Sequence, residues 1–259
     1  MARLPLFDSH AHMDSEYFDV DRNEVFKEIE ENLSGMINPG CDRITSLKAM
    51  EFAANYPFVY AAVGWHPEEI SRMVDEDLEL LKKWCSNDKV VAIGEVGLDY
   101  YNDEDAPHSL QRQRFIQQIH IARETGLPLI VHDREAHGDI LKILQQEARD
   151  LVGVFHCYSG SVEMAKELLK MGWYFGFGGS STFTNAHKVR DVLSYVPEDR
   201  ILFETDSPYL TPMPFRGKRN KPTYTELVAE NAAKLRGTAA SRLMEASTKN
   251  LKTLFFKIK

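Results

Sequence analysis

The chain has 259 residues and a formal net charge of −8, with 39 acidic against 31 basic side chains, which excludes the basic surface of a generic nucleic-acid coat. Cys41, Cys85 and Cys157 are too few and too scattered for a disulfide framework or a Cys-x-x-Cys zinc site, so a reducing, cytoplasmic home is expected. No run of about 18 apolar residues occurs and the opening residues lack a signal-peptide stretch, so no membrane association is expected.

Short apolar runs recur along the chain with helical spacing between them. The first run, 4–9, leads into His10-Ala-His12, and Val25, Phe26, Ile29 and Leu33 then fall at helical spacing over 21–33. Runs at 35–39, 59–64 and 90–94 follow, the last ending on Glu95. A helix over 110–125, with Phe115, Ile119 and Ala122 on one face, stops at Gly126 and Pro128. Runs at 129–132 and 153–156 end on His132 and His156, and a helix over 161–170 precedes the run at 173–177. The run at 201–205 leads to Asp206, and helices over 223–235 and 239–256 complete the chain. Eight continuous runs suit parallel strands buried on both faces. Their alternation with helices predicts an α/β fold, a single-domain (β/α)8 TIM-type barrel spanning 1–259. An open doubly wound sheet would carry a glycine-rich turn after its first strand, where His10-Ala-His12 stands instead.

Six ligand-type side chains at five strand ends predict one polar site on the C-terminal face of the barrel. His10 and His12 are two apart, so on an extended strand both rings point the same way and can converge on one ion. Asp8, one step deeper, is placed to accept a hydrogen bond from a ring or a neighbouring group. Glu95 has two oxygens and can bridge two cations; His132 and His156 then hold the second. Asp206 serves the first ion and takes a proton from a water, which makes it the expected general base, with Glu204 behind it as an orienting carboxylate. A lone His-x-His is more often incidental and a carboxylate at a strand end is usually a turn residue, but coincidence at five ends is a poor account. The mixed donor set admits two divalent ions: Mg, Mn or Zn.

Phe7-Asp-Ser-His-Ala-His12, Gly64-Trp-His-Pro67, Ile93-Gly-Glu-Val-Gly-Leu-Asp-Tyr-Tyr101, Val131-His-Asp-Arg134, His156-Cys-Tyr-Ser-Gly160, Glu204-Thr-Asp-Ser-Pro-Tyr-Leu210 and Phe215-Arg-Gly-Lys-Arg-Asn220 together resemble the signature blocks of the TatD family of metal-dependent deoxyribonucleases, in order and over nearly the whole chain. The resemblance implies an amidohydrolase-type barrel and a divalent-metal-dependent DNase, commonly a 3′→5′ exonuclease acting on single strands or exposed 3′ ends. It also implies one metal on His10, His12, Glu95 and Asp206 and another on Glu95, His132 and His156.

The basic loop carrying Arg216, Lys218, Arg219 and Lys221 follows the last strand and is expected to grip phosphate. Arg134 is expected in the same cleft as His132, His66 at a substrate phosphate, and Tyr158, with Tyr100 and Tyr101, against bases. Cys157 is expected to face away from His156 as a buried thiol. A monomer is expected. The competing functions are another hydrolase on this scaffold, cleaving a C–N or C–O bond of a small molecule, and a metal-binding scaffold without activity.

Overall fold

Eight apolar runs become eight parallel strands in the computed structural model, which describes residues 4–259 and so leaves Met1, Ala2 and Arg3 of the expected 1–259 domain outside the described residues. The strands are β1 (Phe7–Asp8), β2 (Gly35–Pro39), β3 (Val59–Val63), β4 (Val90–Asp99), β5 (Leu129–Arg134), β6 (Gly153–Phe155), β7 (Tyr174–Phe177) and β8 (Ile201–Phe203). They pair in the order β1 to β8. The two edges then meet: Ser9 N donates to Phe203 O at 3.1 Å, Asp206 N to His10 O at 2.9 Å and His12 N to Ser207 O at 2.8 Å. The (β/α)8 barrel expected from the alternation is the fold.

The helices between the strands are α1 (Arg22–Asn32), α2 (Arg43–Asn55), α3 (Asp75–Trp84), α4 (His108–Thr125), α5 (His137–Glu147), α6 (Val162–Lys170) and α7 (His187–Tyr195); α8 (Thr225–Arg236) and α9 (Ala240–Leu254) follow β8. The expected helices end within about two residues of these bounds, the usual uncertainty of helix ends. The α2 helix left no apolar stripe to read, because its buried face is built from the small residues Ser46, Ala49 and Ala53. Among the described residues no helix is long and apolar enough to cross a membrane.

One apolar cluster takes a residue from every strand: Phe7, Ile37, Ala62, Ala92, Ile130, Val154, Tyr174 and Leu202. That is the filled interior of a barrel, and Leu251, Leu254 and Phe255 from the α9 end pack onto it. With this side filled by apolar groups, the polar side chains collect at the opposite, C-terminal rim.

Two strand bounds differ in ways that matter there. β4 runs to Asp99 rather than stopping at 94, and its register against β5 shifts between Ile93 and Val96, so Glu95 lies inside the strand. β8 ends at Phe203, and, three residues on, Asp206 adopts a left-handed φ of 56°.

Candidate metal centre

The first two histidines owe their place to a buried carboxylate beneath them. Asp8 accepts from His10 N at 3.1 Å and from Thr205 N at 3.0 Å, tying the end of β1 to the end of β8. It therefore orients the ligands through the backbone rather than through an imidazole. His10 Nε2 then stands 3.1 Å from His12 Nε2, 3.1 Å from Glu95 Oε2 and 3.7 Å from Asp206 Oδ1. His12 Nε2 is 3.5 Å from Glu95 Oε2 and 3.4 Å from Asp206 Oδ1.

A second group forms on the other oxygen of the same carboxylate. Glu95 Oε1 is 2.8 Å from His132 Nδ1 and 2.7 Å from His156 Nε2, and the two ring nitrogens are 3.1 Å apart. His66 Nε2 joins this group at 3.4 Å from Glu95 Oε1. Ligand atoms about 2.1 Å from one tetrahedral cation stand about 3.4 Å apart; the His12–Asp206, His12–Glu95 and His66–Glu95 separations match that spacing, and the shorter pairs lie at hydrogen-bond distance. The donor chemistry, imidazole nitrogen with carboxylate oxygen, fits a divalent metal. His10 Nδ1 and His156 Nδ1 are buried without a hydrogen-bond partner, and His156 Nδ1 stands 3.9 Å from Glu204 Oε1; one ring nitrogen each of His10 and His156 lies within 4.8 Å of a Glu204 oxygen. Glu204 thus lies beside two ligand rings.

A sequence model of the family described as TatD related DNase matches residues 7–256. The chain is 45% identical over 252 residues to the metal-dependent hydrolase YabD of Bacillus subtilis, covering 96% of this chain and 98% of the relative. This chain belongs to the TatD family. It is 38% identical over 259 residues to the metal-dependent hydrolase YcfH of Escherichia coli, covering 96% and 95% of the two chains. The crystal structure of YjjV, a TatD homologue from E. coli, superposes with a TM-score of 0.90 at 30% identity, covering 97% and 98% of the two chains. A TatD-family protein is a metal-dependent hydrolase, and the paired donor groups are its candidate centre.

The electrostatics of this TatD-family centre follow from packing imidazoles around carboxylates. Burial opposes ionisation of Glu95, but His156, His10 and His66 outweigh it and hold the carboxyl well below its usual range. Burial also opposes ionisation of Asp206, and the hydrogen bond from His12 outweighs it, so this carboxyl too is lowered. Burial, with His156 alongside, pulls His10 down to about 4. Burial pushes Glu204 up to about 7 although His156 and the Cys157 N–H pull the other way.

Asp99 is a site residue the sequence reading missed. It accepts from His132 Nε2 at 3.0 Å, which leaves Nδ1 to face Glu95 and His156. Burial opposes ionisation of Asp99, but that hydrogen bond and the N–H groups of Asn102 and Tyr101 hold it down to about 2. Its signal was present: Asp99 follows Glu95 by four residues, on the same side of an extended strand, once β4 is known to run that far. Asp99→Asn is expected to weaken metal binding by about 10- to 100-fold, read by competition against a fluorescent chelator; unchanged affinity would remove Asp99 from the site.

The cleft above the donors encloses about 810 Å³ and is lined by His12, His66, His132, Arg134, Asp206 and Tyr209 among others. Arg134 reaches it as expected, with its guanidinium 4.0 Å over the exposed Tyr101 ring. Tyr158 does not. It is 3% exposed, packs edge-on against Phe155 and Phe175, and donates its hydroxyl to Ser161 O at 2.8 Å, so it is a core residue and not a base platform. The basic loop is also turned elsewhere. Arg219 makes a two-pronged bond to Asp21 at 2.7 and 2.6 Å, Lys221 pairs with Glu28, and Arg216 and Lys218 lie over the rings of Phe183 and Phe215. None of the four lines the cleft. Arg219→Ala is accordingly expected to cost up to about 1 kcal/mol of stability. Because the Arg219 hydrogen bond holds Asp21 below its ordinary range, that stability is present above the unfolded aspartate pKa and is lost as pH falls through the depressed one. Melting curves of both proteins at pH 7 and below check it.

Cys157 departs from the expectation of a thiol facing away. Its φ of 42° breaks strand alternation and brings Sγ within 4.8 Å of ligand atoms of His156 and Asp206. Burial, with Glu204 and Asp206 beside it, pushes its pKa well up, so it stays a thiol.

Proposed function

We propose that this protein is a divalent-metal-dependent deoxyribonuclease that holds two cations, Mg, Mn or Zn, and hydrolyses phosphodiester bonds from exposed 3′ ends or single strands. The observation that carries the reading is the division of one carboxylate, with Glu95 Oε2 in the His10–His12–Asp206 group and Oε1 in the His132–His156 group. Two-metal sites of this kind clamp the attacking and leaving oxygens of a phosphoryl group. Cations bound there supply charge for the phosphoryl oxygens and ease the loss of a proton from water.

The side chains supply the rest. Asp206, ionised and 14% exposed at the cleft floor, accepts the proton of the attacking water through its carboxylate. Glu95, ionised and buried, balances positive charge on both sides. Asp99 holds His132 from behind by a hydrogen bond, and Glu204 lies near His10 and His156 without bonding to either ring. Arg134 at the rim donates to a phosphate oxygen, and His66 is close enough to Glu95 to serve either substrate or metal. Three free cysteines favour a cytoplasmic enzyme.

A second reading, hydrolysis of a small-molecule ester or amide, is favoured by the acidic cleft wall, which Asp14, Glu68, Glu69 and Asp133 line together with Arg134. The test is metal-stripped protein with 3′- and 5′-labelled single-stranded DNA, each metal being added back alone. Stepwise, metal-dependent loss from the 3′ end, absent in His132→Ala, is the expected result. No cleavage by protein shown to hold its cations would favour the small-molecule reading.

A further inference from the structure

The cleft holds its substrate with little positive charge. Among the described residues that line it, Arg134 is the one permanently cationic side chain, against carboxylates on several sides. Away from the scissile phosphate that the cations would hold, phosphate charge gives such a wall a weak grip on a strand, so recognition of the flanking residues draws on another part of the nucleotide. Two aromatic ledges at its rim offer it: Tyr209 and Arg134 line the cleft, and Tyr17 and Tyr101 stand against them just outside.

The first is built from Tyr209 and Tyr17, which are 51% and 58% exposed. Their rings meet edge to face with centroids 6.3 Å apart, and Tyr209 is 6.5 Å from the His12 ring. The backbone behind them is pinned: Tyr209 O accepts from Asn220 Nδ2 at 2.6 Å and Tyr17 O from Arg219 at 2.7 Å. The second ledge is Tyr101, 63% exposed, under the guanidinium of Arg134. It is tied to the metal centre, because Asp99 accepts from Tyr101 N through Oδ1 at 2.9 Å and from His132 through Oδ2 at 3.0 Å.

Single exposed tyrosines need no explanation; the placement of these does. The first ledge follows the ends of β8 and β1 and the second the ends of β4 and β5, and in a barrel of order β1 to β8 these are opposite sides of the rim. The metal donors lie between them. Flat, rigidly backed rings on either side of a phosphodiester-cleaving centre match the shape of the two nucleosides that flank the bond, and stacking tolerates any base because each has a π-face.

We propose that Tyr17–Tyr209 and Tyr101–Arg134 are two nucleobase subsites that hold the residues on either side of the scissile phosphate. This rests on the nuclease reading.

The experiment compares metal-loaded wild type, Tyr209→Ala and Tyr101→Ala on a single-stranded oligothymidylate and on the same strand with a base-free tetrahydrofuran residue at its last or penultimate position. Wild type is expected to prefer the full strand by about tenfold at each position. Tyr209→Ala is expected to collapse the preference at one position and Tyr101→Ala at the other, with Tyr209→Phe restoring it. Equal rates on full and base-free strands, or ratios unmoved by both substitutions, would overturn the subsites and leave the nuclease standing. Failure of wild type to cut any of the strands would overturn the nuclease reading and the subsites together.

Discussion

Asp206→Asn is expected to lower kcat by about 10²–10⁴-fold while the barrel stays folded. The substitution removes charge and basicity and little else. Asp206 sits at φ 56°, where most side chains are strained but asparagine is tolerated, so the backbone that carries the group into the cleft is kept. The hydrogen bond from His12 that holds the carboxyl down, at 3.4 Å to Oδ1, can also be offered to an amide oxygen. What the amide cannot do is accept a proton in the working pH range. The measurement is kcat at saturating metal, beside the melting temperature at the same loading. Wild-type turnover in a folded, metal-loaded Asp206→Asn protein would dismiss Asp206 as the base. A collapse of metal occupancy would instead give it a ligand's role first.

The candidate ligands were legible because each stands at the end of an apolar run, and in a parallel barrel every strand end delivers its side chain to the same rim. His10, His12, His132 and His156 needed no knowledge of tertiary contacts to be gathered. Asp99 was missed because β4 was read to stop at the glycine before Glu95, whereas it continues to Asp99. The basic loop was misread for a different reason. Clustered charge along a chain does not say which way it faces, and the partners that turn Arg219 and Lys221 aside, Asp21 and Glu28, are almost 200 residues away in sequence. Cys157 escaped because a single left-handed residue cancels the alternation on which its orientation was judged. Tyr158 and Tyr209 show the same limit in opposite directions. Both follow a strand end by a few residues, yet one is buried against Phe155 and Phe175 and the other stands in the cleft.

Loading the protein with its divalent cation is expected to raise the melting temperature, and by more at high pH than at low. At a free metal concentration of 100 Kd the stabilisation is about 2.7 kcal/mol, or roughly 5–10 °C for a chain of this size. The pH dependence follows from what the cation displaces. Burial opposes protonation of His132, but Asp99 and Glu95 outweigh it and hold the imidazole up at about 10; His156 is raised by Glu95 in the same way. A group raised in the folded state adds stability that is complete below its unfolded pKa, near 6.5, and is lost as pH climbs through the folded value. The cation-free protein therefore gives up this contribution between about pH 6.5 and 10. Over the same interval fewer protons compete for the ring nitrogens, so apparent metal affinity rises, by up to about tenfold per pH unit for each proton displaced. These are two views of one proton release, and it widens the gap between loaded and stripped protein as pH rises. Melting curves with metal and with chelator at pH 6, 7.5 and 9 measure that gap. A gap that shrinks as pH rises would mean that the imidazoles carry no protons for the cation to displace, and that the donors in the cation-free protein are held apart rather than clasped around shared hydrogens.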